Sequence, residues 1–196
     1  HLLLELQDTL SITVSAAHFN HQLRGDESQR DADFVADHCR SLHIPLAMGQ
    51  GDVAAFVQSH GIGTEEAARI LRYDFLESLS PDAKIATAHN AQDNLETMLM
   101  HLIRGCSLHG LSGIPPVRGR IIRPLLLTPP EELSDYLEQH GIPHVEDSTN
   151  QLDDCQRNRL RHHVIPLLKE ENPSLCVSAS NLCLQLGQAD QYLGEC

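Results

Sequence analysis

Hydrophobic and polar positions follow one another along the chain in a pattern that predicts strands separated by helices. Residues 12–19 are mostly small or β-branched, which is typical of a buried strand. Between residues 26 and 42 the apolar side chains recur at helical spacing, and residues 44–48 form a second short apolar run. A strand, a helix and a strand in this order indicate a βαβ unit with parallel strands.

The same alternation continues through the middle of the chain. Residues 64–79 predict a helix that begins with Thr64 as its N-cap. The inward-facing side chains of that helix would be Ala67, Leu71, Phe75 and Leu79. Further on, the pattern predicts strands at residues 84–89 and 121–125, and helices at residues 91–104 and 129–139.

After Arg157 the pattern becomes helical and leaves the sheet, with an interruption expected at Pro166. We therefore predict an α/β fold, with a Rossmann-like parallel sheet that has helices on both faces, followed by a C-terminal helical linker. The predicted boundaries are residues 1–170 for the α/β domain and 171–196 for the linker, which would lead toward a further domain. Ligands of such folds bind at the carboxyl ends of the strands, where His21 and His89 fall.

The charged residues are unevenly distributed. The net charge of −13 argues against a general nucleic-acid-binding surface. However, the chain has twelve arginines and only two lysines, and seven of the arginines lie between residues 104 and 161. A guanidinium group can donate two hydrogen bonds to a phosphate, so this region is a candidate for binding an anion.

The cysteines and the apolar runs exclude several classes of protein. The six cysteines are scattered without a C-x-x-C pair, which argues against a zinc or iron–sulfur site. We interpret them as reduced thiols of a cytoplasmic protein. No apolar run is long enough to cross a bilayer, so we expect no membrane association.

The stretch from His89 to Glu96 combines a histidine with two carboxylates. On the predicted helix, Asp93 and Glu96 share one face. The apolar side chains of the opposite face would be Leu95, Leu99 and Leu102. The two carboxylates could bind Mg²⁺ or hold an ammonium group, or they could simply complement the dipole of the helix. The residues alone leave these interpretations open.

Cationic side chains elsewhere are further candidates, each with an ordinary structural alternative. Arg69 and Arg72 could reach a triphosphate from the face of a helix, or could pair with neighbouring glutamates. His18, His21 and Arg24 cluster after the first strand, where they could read the edge of a purine. Three polar groups at one strand end favour a binding role modestly.

Two later segments add more arginines. Arg104 opens a glycine-containing segment that could bind an anion, although the segment by itself favours a helix end followed by a flexible loop. Arg157, Arg159 and Arg161 alternate along the chain, so they cannot all share one face of a helix. This alternation favours an irregular segment that folds back on a site, preceded by the turn-forming residues 146–150.

The order of these blocks resembles the tRNA(Ile)-lysidine synthetases, members of the N-type ATP pyrophosphatase (PP-loop) superfamily. The resemblance extends from about Leu2 to Leu168, and the matching blocks are residues 18–25, 66–73, 89–97, 104–113, 145–150 and 157–168. The most specific of them is VEDSTN followed by RNRLRHHVIPLL. The pyrophosphate loop of the superfamily would precede His1, so we expect further residues upstream. Cys155 stands where the family usually has an aromatic residue, which leaves the local packing open.

The resemblance implies a fold, a reaction and a set of partners. Residues 1–170 would form a PP-loop ATP pyrophosphatase domain. ATP would adenylate carbon 2 of the wobble cytidine in the anticodon loop of an isoleucine tRNA, and the amine of free lysine would displace AMP to form lysidine. The implied cofactors are ATP and Mg²⁺, the implied location is the cytoplasm, and the chain could also pair as a homodimer.

The resemblance also implies roles for individual residues. The residues expected to bind ATP are Asn20, His21, Arg69 and Arg72. Those expected to bind lysine or tRNA are Asp93, Glu96, Arg104, Arg157 and Arg159. Catalytic roles would fall to Arg72, His89 and Asp93, and Asp93 would also be the ligand of Mg²⁺. Two alternatives are another PP-loop enzyme, such as a cytidine thiolase, and a non-catalytic RNA-binding fragment.

Overall fold

The computed structural model describes residues 1–145 and 152–194, which form an α/β structure with parallel strand pairs. The chain divides into two compact units, His1–Ala83 and Lys84–Cys196. None of the described helices is long and apolar enough to cross a membrane.

The first unit is built around one parallel pair of strands. Its elements are α1 (Leu2–Glu5), α2 (Gln7–Leu10), β1 (Ala16–Asn20), α3 (Asp26–Ser41), β2 (Leu46–Gln50), α4 (Val53–His60) and α5 (Thr64–Leu79). β1 and β2 pair in parallel, with Ala16 opposite Leu46 and Asn20 opposite Gln50. The βαβ unit predicted from the apolar pattern is therefore confirmed.

Helices cover both faces of β1. Successive side chains of a strand point in opposite directions, so neighbouring residues of β1 contact different helices. Phe19 faces α5, where its ring lies 5.6 Å from that of Phe75. Asn20 points the other way and donates a hydrogen bond to the backbone oxygen of Ser28 on α3, at 3.3 Å. The predicted two-sided covering of the strand is confirmed in this unit.

Three details of the first unit differ from the prediction. The apolar pattern did not predict α4, which begins after Asp52 and ends at the left-handed Gly61. Gly63 is the N-cap of α5, and Thr64 is already helical, so the prediction of Thr64 as N-cap is wrong. Leu79, predicted to face inward, is 44% exposed because it belongs to the last turn of the helix.

The second unit combines a small mixed sheet with most of the helices. Its elements are β3 (Ile85–Ala86), α6 (Ala91–Arg104), α7 (Leu108–Leu111), β4 (Val117–Arg118), β5 (Ile121–Ile122), α8 (Pro130–Gln139), α9 (Gln156–Arg159), a π-helical segment (Leu160–Val164), α10 (Ile165–Glu171) and α11 (Leu175–Gly194). β5 pairs in parallel with β3 and antiparallel with β4. The sequence did not predict β4 or α7.

The core of the second unit joins three helices. Buried side chains of α6, α10 and α11 pack together, namely Ala91, Leu95, Ile165, Cys176 and Ala179. The predicted C-terminal helix is present and contributes to this core. Its role as a linker toward a further domain stays a prediction. Leu102, predicted on the apolar face opposite Asp93 and Glu96, is 55% exposed.

Pro166 does not interrupt the helix, contrary to the sequence-based expectation. The chain is helical from Gln156 to Glu171, with a π-helical turn just before the proline. A proline ring clashes with the carbonyl four residues earlier in a regular α-helix, and its nitrogen cannot donate. The wider π turn accommodates this and lets the helix continue through Pro166.

Candidate functional site

The first turn of α6 is fixed by a reciprocal cap. The side chain of Asn90 accepts hydrogen bonds from the backbone N–H groups of Gln92 and Asp93, at 2.9 and 3.1 Å. One carboxylate oxygen of Asp93 accepts the backbone N–H of Asn90 at 2.9 Å. This arrangement is a capping box, so Asp93 has a structural role in helix initiation whatever else it does.

Glu96 lies at the centre of an ionic network. Its carboxylate has no solvent exposure and receives two hydrogen bonds from Arg161, at 2.7 and 3.1 Å. The Nε atom of Arg157 approaches the same carboxylate at 3.6 Å, which is an ion pair without a hydrogen bond. The hydrogen bond to Glu96 raises the pKa of Arg161. A bidentate pair of this kind fixes the orientation of both side chains.

Arg161 also links the two carboxylates of α6. Its terminal nitrogen lies 3.6 Å from the second carboxylate oxygen of Asp93. Asp93 and Glu96 therefore share one face of the helix, as predicted from their spacing. They differ in accessibility, because the Asp93 side chain is 19% exposed whereas that of Glu96 is fully buried. Only Asp93 offers an oxygen near solvent.

The arginine-rich segment is helical, so the predicted irregular segment is wrong. Arg157 and Arg161 are one turn apart and both contact Glu96, and Arg157 also donates to the hydroxyl of Thr97 at 3.4 Å. Arg159 points away and donates to the backbone oxygens of Asp153 and Asp154. Along one helix, Arg157 and Arg161 thus contact Glu96, whereas Arg159 holds the segment that precedes the helix.

A second set of contacts from the same helix holds the segment that precedes it. His162 and His163 contact the two carboxylate oxygens of Asp153 at 2.7 and 2.6 Å. The hydrogen bonds from His163 and His162 lower the pKa of Asp153. The side-chain amide of Asn158 donates to the backbone oxygen of Leu152 at 2.6 Å. Residues 152–154 are therefore anchored to the helix by side chains of the RNRLRHH motif.

The remaining candidates of the second unit lie near the ends of α6. His89 precedes the helix and contacts the hydroxyl of Thr87 through its Nδ1 atom at 2.9 Å. Arg104 closes the helix and donates to the side-chain oxygen of Gln156 at 3.1 Å, on the exposed surface. Gly105 forms the C-cap, which agrees with the structural alternative for this segment.

The first unit holds a separate group of candidates after β1. Asn20 is buried and accepts the backbone N–H of Gln22 at 2.9 Å. Burial lowers the pKa of His21, and the charges of Arg72 and His18 lower it further. The Nδ1 atom of His21 is buried and has no hydrogen-bond partner among the described residues. This unit therefore places a neutral imidazole and a guanidinium within electrostatic reach of each other.

Arg69 and Arg72 both lie beside the ring of Tyr73 on α5. Their guanidinium carbons are 5.7 and 5.4 Å from the centre of that ring. Both arginines are exposed, and neither forms an ion pair within the part of the chain that the structure describes. The ring restrains their position without neutralising their charge, so both guanidinium groups stay available to an anion.

The structure brings together the predicted residues within each unit. Asn20, His21 and Arg72 group in the first unit. Asp93, Glu96 and Arg157 group in the second. Arg161 belongs to the second group and was missed as a site residue, although its spacing of four from Arg157 was the available signal. The predicted turn at residues 146–150 lies outside the described residues.

The predicted magnesium ligand was tested against the groups around Asp93. One of its oxygens accepts a backbone hydrogen bond, and the other lies 3.6 Å from the guanidinium of Arg161. A resident Mg²⁺ ion needs several oxygen ligands in near-octahedral geometry, and Asp93 offers only one oxygen outside the cap. No group of three or more histidine, cysteine or acidic side chains suited to a metal occurs among the described residues. The surroundings of Asp93 thus do not fit a resident Mg²⁺ ion.

The fold matches that of a solved structure with little sequence identity. The U34-tRNA thiolase NcsA from Methanococcus maripaludis, solved with its 4Fe-4S cluster, aligns with a TM-score of 0.70. The alignment covers 94% of this chain and 66% of the other, at 17% identity. The likeness establishes the fold class, an α/β domain in which parallel strands are followed by helices.

The chain belongs to the PP-loop domain family, whose model matches residues 1–168. It is 39% identical over 202 residues to a tRNA(Ile)-lysidine synthase of Geobacillus kaustophilus, which covers all of this chain and 44% of that protein. It is 42% identical over 176 residues to a tRNA(Ile)-lysidine synthase of Bacteroides thetaiotaomicron, covering 88% of this chain and 41% of that protein. The chain therefore spans about two fifths of the length of these curated relatives.

Proposed function

We propose that this protein is an ATP-dependent ligase that joins lysine to carbon 2 of the wobble cytidine of an isoleucine tRNA. The proposal is supported by membership of the PP-loop domain family and by relatives that carry the name tRNA(Ile)-lysidine synthase. The structural observation that carries it is the partly exposed carboxylate of Asp93, held rigidly beside a buried arginine–glutamate network.

The proposed reaction has two steps. The oxygen on carbon 2 of the cytidine attacks the α-phosphate of ATP, and pyrophosphate leaves, which gives an adenylated base. The side-chain amine of lysine then attacks carbon 2, the carbon–oxygen bond breaks, and AMP leaves with that oxygen. The first step increases negative charge at a phosphate, and the second needs a positioned, neutral amine.

In the first step, the residues of the first unit would meet ATP. Arg72 and Arg69 are exposed cations that lack an acidic partner within the described residues, and a guanidinium group donates two hydrogen bonds to a phosphate. Asn20 and His21 would border the adenosine, because they lie at the carboxyl end of β1. The half-buried, neutral imidazole of His21 suits a nucleobase more than a phosphate.

In the second step, Asp93 would hold an ammonium group of lysine through its exposed side. Both carboxylate oxygens of Glu96 already accept hydrogen bonds from Arg161. We therefore assign Glu96 a positioning role instead of a direct contact with lysine. Arg157 and Arg161 would carry positive charge close to the departing AMP. His89 would border the reacting centre. Arg104 and Arg159 lie at the surface, where they would meet RNA phosphates.

The decisive experiment measures incorporation of radiolabelled lysine into isoleucine tRNA by the full-length protein. Asp93→Asn keeps an oxygen that can cap α6 but removes the charge. We expect it to raise the KM for lysine by about 10–100-fold, the effect of losing a hydrogen bond between charged groups. Adenylation in the absence of lysine, followed as pyrophosphate release, should not change.

The matched control is Glu131→Gln, an exposed carboxylate in the same unit that pairs with Lys169. It should leave both steps unchanged. An unaltered KM for lysine in Asp93→Asn would remove Asp93 from the lysine site. Absence of any lysine incorporation by the wild-type protein, with sulfur transferred to tRNA instead, would favour the thiolase alternative.

A further inference from the structure

The second unit contains a cleft that the proposed reaction does not use. It has a volume of about 310 Å³ and lies between α6, the segment that follows α7, and α11. Its walls include Asn94, Ser112, Pro116, Leu184, Gln188 and Gln191. Asn94 and Glu96 are two residues apart on α6 and point to nearly opposite sides, so the width of a helix, about 10 Å, separates the cleft from the ionic network.

The lining of the cleft is neutral and combines two kinds of surface. None of its lining residues is charged, in a chain with 21% charged residues. Pro115, Pro116 and Leu184 supply apolar walls, whereas Gln188 supplies an amide that can donate and accept hydrogen bonds. Apolar walls together with an amide suit a planar, uncharged ring with polar atoms along its edge.

A glycine in the middle of α11 keeps one side of the cleft open. Gly187 lines the cleft, and glycine is less favourable than alanine inside a helix. A Cβ atom at this position would lie 3.7 Å from the Cβ of Ser112, which is an ordinary van der Waals distance. Neither the backbone nor the packing therefore requires glycine here. Its effect is to leave space that a side chain would fill.

The side of the cleft formed by α6 is rigid. Asn94 is 1% exposed, and its side-chain oxygen accepts the backbone N–H of Ile114 at 2.8 Å. Gly113 has a φ of +68° and approaches so closely that a Cβ atom would lie 2.3 Å from that oxygen. A preformed wall of this kind lowers the entropic cost of binding a ligand.

We propose that this cleft binds an unstacked nucleobase of single-stranded RNA, next to the base that reacts. Its volume lies at the lower end of the range for small-ligand sites, which fits a single base. Proteins that bind a base taken out of its stack hold it between aromatic or apolar side chains and read its edge with hydrogen bonds. The inference rests on the proposed function, because it takes the RNA to be the substrate of that reaction.

The test compares the binding of two kinds of probe to the full-length protein. One probe is a fluorescent seven-nucleotide RNA with the sequence of the isoleucine anticodon loop, and the others are the four free nucleosides. Gly187→Leu fills the cleft, and Gln188→Ala removes an amide from its wall. Each variant should raise the dissociation constant of the RNA about tenfold, the effect expected for one base contact.

Matched controls lie on the same helix outside the cleft. Ala189→Leu adds the same side chain as the filling variant, and Gln185→Ala removes the same amide. Both should bind RNA like the wild type. Unchanged RNA binding in Gly187→Leu and Gln188→Ala would overturn the proposal. A loss of nucleoside binding with unchanged RNA binding would also overturn it, because the cleft would then be a small-molecule site. Thermal melting shows whether each variant is folded.

Lysine incorporation measured in parallel separates this proposal from the proposed function. If the wild type incorporates lysine and the cleft variants keep its KM for tRNA, the cleft proposal alone fails. If the variants lose RNA affinity but the wild type incorporates no lysine, the cleft binds RNA and the proposed reaction fails. If the variants raise the KM for tRNA without changing the KM for lysine, both proposals are supported.

Discussion

The arginines beside Tyr73 in the first unit and those beside Glu96 in the second unit are held in opposite ways. In the second unit, Arg161 donates two hydrogen bonds to the buried carboxylate of Glu96. In the first unit, Arg69 and Arg72 lie exposed beside the ring of Tyr73, without an acidic partner among the described residues. The first unit nevertheless has thirteen acidic side chains against five arginines, whereas the second has fourteen against nine basic ones.

This difference shows that the number of charges does not decide which arginines can bind a ligand. In the more acidic unit three other arginines pair with carboxylates, yet Arg69 and Arg72 stay available. In the less acidic unit Arg157 and Arg161 are neutralised at a buried site. A paired arginine serves best to position its neighbours, because removing its partner is costly. An exposed arginine held by an aromatic ring can still give its hydrogen bonds to an anion.

The largest effect should come from breaking the network of the second unit. Glu96→Gln leaves Arg161 and Arg157 without their shared buried carboxylate, which should lower the free energy of unfolding by about 3–5 kcal/mol. Urea denaturation of the variant measures this loss. The same substitution at exposed Glu131 should cost no more than about 1 kcal/mol. Equal losses at both positions would contradict the view that Glu96 organises the unit.

A slightly smaller effect should follow from substituting Gly113, which supports the other side of α6. Alanine there would combine a left-handed backbone with a close contact to Asn94, and should cost about 2–4 kcal/mol. Gly119 is the matched control, since it also has a positive φ but nothing lies within 4 Å of an added Cβ. A comparable loss of urea stability in Gly119→Ala would mean that the backbone strain alone matters.

In the first unit, removing an arginine should affect binding more than stability. Arg72→Ala should raise the KM for ATP by about 10–100-fold, because a charged hydrogen bond to phosphate is lost. Its melting temperature should change little, since the side chain is exposed. Arg69→Ala should show the same pattern, since its guanidinium group lies beside the same ring. An unaltered KM for ATP in both variants would contradict the view that the exposed arginines of the first unit bind a ligand.

The smallest expected effect is a difference in how a titrating group of each unit makes the free energy of unfolding depend on pH. Burial lowers the pKa of His21 in the folded protein, so as the pH falls this histidine is protonated more readily in the unfolded chain. The free energy of unfolding should therefore fall as the pH drops through about 6.5. The pKa of Asp153 is also lowered, but its contribution persists above about pH 4 and is lost only on further acidification. His21→Gln should therefore lose less urea stability between pH 7.5 and 5.5 than the wild type does.

Local patterns in the sequence were sufficient to predict most helices. Residues 91–104 were predicted as a helix, and α6 has these bounds. Asn90 and Asp93 form the cap at its start, and glycine follows Arg104 at its end. The parallel pairing of β1 with β2 followed from the helix between them. The shared face of Asp93 and Glu96 followed from their spacing of three.

The features that the sequence did not predict depend on contacts between distant residues. Glu96 became the centre of a network because residues about 60 positions away reach it, and no local period encodes such a contact. The helix α4 was missed even though Asp52 and Gly61 mark its two ends. β4 has only two residues, too few for a detectable alternation.

The π turn at Leu160–Val164 constrains how this part of the chain can change length. It lies between Arg157, which faces Glu96, and Ile165, which is 2% exposed in the core. Deleting one residue from the turn would rotate everything beyond it by about 100° relative to everything before it. Related sequences can thus exchange side chains within this stretch, whereas gaps in an alignment should fall outside it.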